Sequence, residues 1–355
     1  MQHDDLRKGT IPIYTERSRE PIPLYPTDAP ALDSYGRRIS YLRISLTDRC
    51  NMRCVYCMPA VGMQFLPRPE LLTTDELLLV VRAAARAGFQ KVRLTGGEPT
   101  LRPDLVEIVR AIKATPGIDH IAMTTNALRL EKLATPLKEA GLDRVNISID
   151  TLDPEKFRRM TRGGRLEAVW AGIEAADAVG LRPIKLNSVV VRGLNDEEVV
   201  KLAGLTLERP WEMRFIEVMP LTGVADVASD GVVKSAELIA ALSSAYGPLE
   251  ELGLAPADSA RRYRIPGARG KLGFISSVSD PFCATCNRMR LTSDGRLHLC
   301  LLRDDEVDLR AAIRAGASEA EVEQLIRHAV AVKPWGHGLP EGILPTLRGM
   351  SSLGG

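Results

Sequence analysis

Cysteines are the residues whose type and spacing most directly indicate chemistry in this chain. They form two groups of three, with none outside these groups: Cys50, Cys54 and Cys57, then Cys283, Cys286 and Cys300. Two triplets do not divide into three local disulfides, and clustered thiols in a reducing compartment are typically metal ligands or catalytic groups. The spacing therefore predicts two separate metal sites, each with three thiolate ligands.

The first triplet lies in RCNMRCVYCMPA, residues 49–60, directly after a predicted strand. Three thiolates at C-x3-C-x2-C spacing can ligate three irons of a [4Fe-4S] cluster and leave the fourth iron open to another molecule. The alternative is a zinc site with three cysteines and one histidine. Because no histidine lies between His3 and His120 to complete such a site locally, the spacing favours the cluster.

A second motif, TGGEPTLR at residues 95–102, ends the second predicted strand. Two adjacent glycines allow backbone to approach a ligand without interference from Cβ atoms. The carboxylate of Glu98 can accept a hydrogen bond from an ammonium group. Taken alone, the motif is also compatible with an ordinary turn before a helix.

The second triplet consists of the CATC motif at residues 283–286 and the more distant Cys300. His298 lies close to Cys300, so a Cys3His zinc site remains an alternative here. Between these ligands, Arg288 and Arg290 alternate on an extended segment and therefore share one face. Two guanidinium groups on one face are suited to binding phosphate or carboxylate.

Alternating strands and helices must position these motifs. The predicted strands are residues 41–46, 91–96, 120–125, 144–150, 183–191 and 212–219. Six βα repeats imply a parallel sheet. One face of these strands is apolar, whereas the other carries Arg43, Arg93, Asn146, Ser148 and Lys185. A closed eight-stranded barrel fills its interior with apolar side chains, so this polar face predicts an open barrel with a wet cavity.

The predicted fold is α/β: a partial (β/α)6 TIM-like barrel with a smaller C-terminal α+β domain closing its open side. We predict three parts. Residues 1–37 form a flexible, proline-rich N-terminal arm, residues 38–219 form the barrel, and residues 220–355 form the C-terminal domain with the second triplet and a Gly-Gly tail.

Composition excludes some classes of partner. The net charge is +2, without the strong basic excess of a nucleic-acid binder, and no apolar stretch is long enough to span a membrane. The N-terminal segment has no secretory signal pattern. We therefore expect a cytoplasmic protein that binds neither nucleic acid nor membrane.

The first triplet, with Tyr56 before its last cysteine, and the Gly-Gly-Glu motif resemble those of the radical S-adenosylmethionine (SAM) superfamily. The stretch PFCATCNRMRLTSDG at residues 281–295, together with the C-terminal Gly-Gly, resembles the GTP 3′,8-cyclase family of molybdenum cofactor biosynthesis. This resemblance extends from about Arg37 to Gly355. Most radical SAM enzymes lack the second triplet, so the match is specific.

The resemblance implies a set of cofactors and contacts. The first triplet would hold a [4Fe-4S] cluster that binds SAM, and the second would hold another whose open iron binds the purine of GTP. The implied SAM contacts are Tyr56, Gly97, Glu98, Ser148 and Met219. The implied GTP contacts are Arg43, Arg93, Thr124, Lys185, Arg288, Met289 and Arg290. The implied catalytic residues are Arg288, Arg290, Gly354 and Gly355, because the family's Gly-Gly tail is thought to enter the active site.

The resemblance also implies a reaction and partners. A 5′-deoxyadenosyl radical would abstract hydrogen from C3′ of GTP, and C3′ would then attack C8 of guanine to give 3′,8-cyclo-7,8-dihydro-GTP. The partners would be an electron donor such as flavodoxin or ferredoxin, the downstream cyclic pyranopterin monophosphate synthase, and a second copy in a homodimer.

Two alternatives stay open at this stage. The first is another two-cluster radical SAM enzyme, such as a peptide-modifying one, although these usually carry more cysteines in the C-terminal part. The second is a non-enzymatic iron–sulfur electron carrier, which would have no use for the Gly-Gly-Glu turn or for five convergent cations.

Overall fold

A computed structural model describes residues 10–14, 21–61, 63–221, 227, 231–253 and 258–354. A short hairpin pairs β1 (Thr10–Tyr14) with β2 (Pro21–Pro23). The barrel strands are β3 (Tyr41–Ser45), β4 (Lys91–Thr95), β5 (His120–Thr125), β6 (Arg144–Ser148), β7 (Lys185–Val190) and β8 (Glu212–Glu217). The later strands are β9 (Glu250–Glu251), β10 (Arg261–Arg264), β11 (Lys271–Ile275), β12 (Arg288–Leu291), β13 (Arg296–His298) and β14 (Glu306–Asp308).

Helices follow most barrel strands. They are α1 (Thr74–Arg86), α2 (Leu105–Lys113), α3 (Leu130–Glu139), α4 (Pro154–Thr161), α5 (Leu166–Ala178) and α6 (Val199–Glu208). The C-terminal part adds α7 (Ser235–Tyr246), α8 (Leu309–Arg314), α9 (Glu319–Ala331) and α10 (Met350–Leu353). Local capping helps define these boundaries: α1 begins with a capping box between Thr73 and Glu76, and α9 with one between Ser318 and Glu321.

The predicted parallel order of the barrel is confirmed. Strands β3 to β8 lie side by side in chain order, all parallel, within a sheet of order β14-β13-β12-β3-β4-β5-β6-β7-β8-β11-β10-β9. The sheet is open, as expected for a partial barrel. Each strand turns its apolar face to the helices; Ile44, Leu94 and Ile147, for example, are fully buried in the core.

The C-terminal part contributes strands to both edges of this sheet. β12 pairs in parallel with β3, placing Arg290 beside Arg43, and β11 pairs in parallel with β8. Residues separated by about 250 positions in sequence therefore become neighbours on one face. β10 and β11 form an antiparallel hairpin.

Part of the predicted N-terminal arm packs against the body, which differs from the expectation of a flexible segment. Ile22 is buried, and the side chain of Gln324 on α9 accepts from the Tyr25 amide and donates to the Tyr25 carbonyl. Arg327 donates to the carbonyl of Ala29. An extended chain cannot satisfy its own backbone groups, so side chains of α9 hold it in place.

Within the described residues, no helix has the length and apolar character needed to cross a bilayer.

Candidate active site

The polar face of the sheet borders a cavity of about 380 Å³. Barrel residues form one wall, among them Arg43, Arg93, Asn146, Lys185 and Asn187. The opposite wall comes from residues 281–302 of the C-terminal part. The wet cavity expected from strand parity is therefore present, with the second cysteine triplet along its edge.

The first cysteine triplet lies in a tight loop after β3. The amides of Cys57 and Met58 both donate to the carbonyl of Cys54, at 2.9 and 3.0 Å. All three thiols are free and half-buried. Burial, with the charges of Cys50 and Asp150, raises the pKa of Cys57 to about 12. Deprotonating such thiols requires a cation among them, which is what a metal cluster supplies.

The adjacent glycines of the second motif pack against this cysteine loop. The Gly97 amide donates to the carbonyl of Thr47 at 2.7 Å, and the Glu98 amide donates to that of Arg49 at 2.8 Å. A Cβ at Gly97 would overlap the carbonyl oxygen of Arg49. We predicted that the glycines admit a ligand; the structure adds that they admit the backbone of the loop that carries the cysteines.

Glu98 is buried beside this contact. Its Oε1 accepts from the Thr100 amide and hydroxyl and from the Thr125 hydroxyl, and its Oε2 accepts from the Asn126 amide at 2.8 Å. Burial nevertheless raises the pKa of Glu98. A carboxylate has about four lone-pair sites, so one site on Oε2 remains for an ammonium donor.

The other implied SAM contacts are distributed over three strands. The Tyr56 hydroxyl donates to Oδ2 of Asp150 at 2.6 Å, just beyond the end of β6. Ser148 is the last residue of β6 and is paired with Asn187, which lines the cavity. Met219 also lines the cavity. These side chains thus lie at or beyond the carboxyl ends of β3, β6 and β8, the end of the sheet where α/β proteins bind ligands.

All three thiols of the second triplet line the cavity. Burial would raise the pKa of Cys286, but the charges of Arg288 and Lys333 outweigh it and lower the pKa. Arg37 fixes the loop by donating to the carbonyl of Cys283 at 2.7 Å. A cationic environment that favours thiolate is what a metal ligand set requires.

The zinc alternatives lack a convergent ligand set. Among the residues that the structure describes, no three His, Cys, Asp or Glu side chains converge closely enough to hold a single metal ion. Yet the thiols are near enough for Cys57 and Cys50 to raise the pKa of Cys54, after the larger effects of burial and Asp150.

The predicted anion-binding residues converge on the cavity. Arg43, Arg93, Lys185, Arg288, Met289 and Arg290 all line it. Burial, with the charge of Arg288, lowers the pKa of Arg290 to about 10, and burial lowers that of Lys185 to about 8. Thr124 is different: it lies outside the described lining, and its buried hydroxyl has no hydrogen-bond partner there. Burial is the largest cause of these lowered pKa values, and repulsion from neighbouring cations adds to it.

Four further cations that the sequence analysis missed line the cavity. Two are lysines, Lys91 and Lys333, and two are arginines, Arg144 and Arg214. Burial and the charge of Arg93 lower the pKa of Arg144 to about 10. Arg214 contacts Glu212 at 2.5 Å, and Glu212 also pairs with Lys185 at 3.0 Å. Strand parity could have identified both, since Arg144 shares a face with Asn146 and Arg214 lies opposite Asn187 in the adjoining strand.

The C-terminal tail enters the same region. Arg290 donates to the carbonyl of Gly354, and a Cβ at Gly354 would overlap Oγ1 of Thr95 at the end of β4. Leu353 packs in a small buried cluster with Leu221 and Leu302. Gly355, the other predicted tail residue, lies outside the described residues.

The sequence is similar to known proteins along nearly its whole length. Residues 44–206 match the family model of the radical SAM superfamily, and residues 211–339 match the model described as Molybdenum Cofactor Synthesis C. A GTP 3′,8-cyclase of Pelotomaculum thermopropionicum is 49% identical over 327 residues, or 91% of this chain and 99% of that protein. Molybdenum cofactor biosynthesis protein 1 of Bos taurus is 44% identical over 312 residues, which are 88% of this chain and 49% of that protein.

The fold also resembles solved structures of low sequence identity. The SAM-bound crystal structure of Streptococcus suis SuiB aligns with a TM-score of 0.55 at 15% identity, covering 79% of this chain and 71% of that one. At this identity the likeness concerns the fold alone.

Proposed function

We infer the function of this chain from the fact that it belongs to the GTP 3′,8-cyclase family of radical SAM enzymes. It converts GTP to (8S)-3′,8-cyclo-7,8-dihydroguanosine 5′-triphosphate, the first step of molybdenum cofactor biosynthesis. The observation that carries this function is the convergence of nine arginine and lysine side chains and the three thiols of the second triplet on one cavity along the polar face of the sheet.

Membership of the superfamily implies a [4Fe-4S] cluster and SAM. Cys50, Cys54 and Cys57 would hold this cluster. When bound, the cluster and SAM supply the carbon radical that removes a hydrogen atom from GTP. The residues around them fix position: Gly97 brings the β4 turn against the cysteine loop, Glu98 offers its remaining lone pair to the SAM ammonium, and the Tyr56–Asp150 hydrogen bond holds the loop to β6.

The cavity cations would bind the triphosphate. A triphosphate carries several negative charges, and a partly dry site can accept it only when cations are already gathered there. Nine guanidinium and ammonium groups meet this requirement: Arg43, Lys91, Arg93, Arg144, Lys185, Arg214, Arg288, Arg290 and Lys333. Burial, followed by repulsion between neighbouring cations, lowers the pKa of Arg43, Arg93, Arg144, Lys185 and Arg290, and a bound polyanion would relieve this repulsion.

The second triplet would hold a second [4Fe-4S] cluster at the cavity edge, where its open iron could contact the purine of GTP. Its support is that Cys283, Cys286 and Cys300 border the same cavity as the cations. One binding site would then fix the base at one end and the phosphates at the other, with the ribose between them. Holding C3′ against the radical source and excluding water is the contribution expected from the protein.

The remaining roles concern the tail and the partners. The Gly354 carbonyl, bound by Arg290, places the tail beside the proposed GTP site, and Gly354 and Gly355 would act there in catalysis. An electron donor such as flavodoxin or ferredoxin, a downstream cyclic pyranopterin monophosphate synthase and a homodimer are the partners we propose. A cytoplasmic location is part of the same proposal.

The test is anaerobic reconstitution of the chain with iron and sulfide, followed by incubation with reductant, SAM and GTP. We expect 5′-deoxyadenosine and the cyclised nucleotide to form together. Replacing the first triplet with alanine should abolish both products. Replacing the second triplet should remove about half of the iron and reduce cyclisation while SAM still binds. Stoichiometric zinc in the second site, or cyclisation unaffected by either replacement, would contradict the assignment.

A further inference from the structure

Four arginines lie within eight residues of the segment RRMTRGGR, with no acidic residue among them: Arg158, Arg159, Arg162 and Arg165. All four are exposed. This segment, which we call the arginine patch, is a local concentration of positive charge in a chain whose net charge is only +2. The proposed GTP cavity is lined by other cations, so the reaction does not account for this patch.

The arginine patch lies directly on the first cysteine loop. The amides of Arg53 and Val55 donate to the carbonyls of Thr161 and Met160, both at 2.9 Å. The backbone of Gly164 lies so close to Met52 that a Cβ would come within 2.7 Å of the methionine methyl. The segment that carries the arginines therefore packs directly against the loop that carries Cys54 and Cys57.

Arg162 strengthens this contact at some conformational cost. It ends α4 in the left-handed conformation, with φ of 52°, where glycine is the usual residue. Its guanidinium donates to the carbonyls of Arg53 and Met58, at 3.2 and 2.8 Å. One arginine thus binds the cysteine loop, while its three neighbours extend into solvent around it.

Helix energetics explain only part of this pattern. Arginines in the last turn of a helix interact favourably with its dipole, which applies to Arg158 and Arg159. Arg162 and Arg165 lie beyond the helix. The carboxylates of this helix, Asp153 and Glu155, stand at its opposite end. Among the described residues, Arg158 and Arg165 have no ion-pair partner, so their charge is available to another molecule.

The reaction needs one electron from outside for each radical generated. We propose that the arginine patch is the docking surface for that electron donor, a carrier protein with an acidic face around its redox group. The proposal rests on the function assigned above. In the step, the donor would lose one electron to the cluster that the first cysteine loop would hold, with no proton or group transferred.

Proximity and charge both favour this partner. Electron tunnelling slows steeply with distance, so a donor must dock close to the cysteine loop. An exposed patch of one sign steers a partner of opposite sign and raises the association rate, in a manner that salt weakens. A nucleic acid is the other polyanion that such a patch could attract, and the test includes it.

The experiment uses the reconstituted enzyme and flavodoxin in its hydroquinone form as the acidic donor. Two variants weaken the patch: R158E/R159E reverses two charges, and R158Q/R159Q removes them without placing acids at a helix end. The matched control, R110E/K132E, reverses two exposed charges on α2 and α3. Reduced methyl viologen, a small donor that needs no docking surface, drives the same reaction in parallel.

At low ionic strength we expect flavodoxin-driven 5′-deoxyadenosine formation to fall on the order of tenfold in R158E/R159E and less in R158Q/R159Q. Viologen-driven formation should not change, and the control should match the wild type with both donors. Direct titration should show weaker flavodoxin binding in the same order, and salt should reduce binding most in the wild type.

Three results would overturn the proposal. One is unchanged flavodoxin binding and turnover in both patch variants. Another is an equal loss with viologen, which would show that the arginines support the cysteine loop itself. The last is patch-dependent binding of a single-stranded oligonucleotide without patch-dependent binding of flavodoxin. If the wild type cyclises GTP with viologen as the donor, the proposed function holds. Any of these three results then counts against the docking surface alone.

Discussion

Arg290 donates from its guanidinium to the carbonyl of Gly354, joining β12 to the penultimate residue of the chain. The same arginine lies beside Arg43 of β3 across a parallel strand pair. One side chain therefore connects the barrel, the second cysteine segment and the tail. The tail therefore contacts an arginine that lines the proposed GTP cavity.

Adding a methyl group at Gly354 should impair GTP cyclisation. Gly354 has φ of +73°, and its Cβ would overlap Oγ1 of Thr95, so Gly354→Ala must move the tail. We expect at least tenfold slower cyclisation with unchanged iron content and SAM binding. Gly342→Ala is the matched control, because Gly342 has φ of +75° but a Cβ there meets nothing within 4 Å. Equal rates for the two variants would show that the tail is passive.

Arg348 should anchor the tail from outside the cavity. Its guanidinium binds Glu306 at 2.8 and 3.1 Å and Asp294 at 3.0 and 3.2 Å. Arg348→Ala removes the arginine from both carboxylates, leaves Glu306 with only the more distant His298, and frees the segment before Gly354. We expect faster release of terminal residues by carboxypeptidase and a loss of cyclisation close to that of a tail deletion. Arg314→Ala removes an ion pair with Glu76 away from the tail, and should change neither quantity.

Arg288 should contribute directly to GTP affinity. It lines the cavity, and its guanidinium stacks 4.3 Å from the centre of the Phe282 ring. Losing a charge-assisted contact costs about 1.5–3 kcal/mol. Arg288→Ala should therefore weaken GTP binding roughly ten- to a hundredfold in calorimetry. The exposed Arg269 supplies the control variant Arg269→Ala, and wild-type affinity in Arg288→Ala would remove this residue from the site.

Arg37 should be needed to assemble the second metal site. Its guanidinium donates to the carbonyls of Cys283, Trp335 and Pro334 at 2.6–2.8 Å and to Asp33 at 2.6 Å. Arg37→Gln cannot make these contacts together, so the Cys283 loop loses the hydrogen bonds that hold it in place. Iron and sulfide per chain after anaerobic reconstitution should fall toward about half. The neighbouring exposed Arg38→Gln should retain the full content, and a full content in Arg37→Gln would contradict the role.

GTP affinity should decrease as pH rises above about 8. Burial and the charge of Arg214 lower the pKa of Lys185 to about 8, from 10.5. A bound triphosphate favours the charged amine, so the complex has a higher Lys185 pKa than the free enzyme. Affinity is therefore full below pH 8 and falls as the free enzyme loses this proton, by up to about tenfold per pH unit.

The measurement is calorimetric titration of GTP between pH 7 and 9. Lys185→Arg keeps its charge over this range because arginine is effectively always protonated, and it should lose the pH dependence attributed to Lys185. A variant with the same profile as the wild type would assign the titration to another group, or to GTP itself.

The barrel and its cysteine sites could be predicted from sequence because local patterns determine them. A thiol triplet can be recognised from the spacing of its cysteines alone. The alternation of polar and apolar residues along β3, β4, β6 and β7 identified which face would line a cavity. Arg144 and Arg214 follow the same alternation and were accessible to the same reasoning.

Tertiary structure alone decided which distant segments meet. Nothing local in the segment at 288–291 specifies that it adds to the barrel edge beside β3, or that β11 adds to the other edge beside β8. Strand pairing of this kind depends on matching two edges separated by most of the chain. The packing of residues 21–37 on α9, and of the arginine patch on the cysteine loop, was equally absent from any local pattern. The sequence by itself determined which groups could do chemistry, and long-range packing determined that nine cations and a thiol triplet line one cavity and that the chain's own tail contacts one of those cations, Arg290.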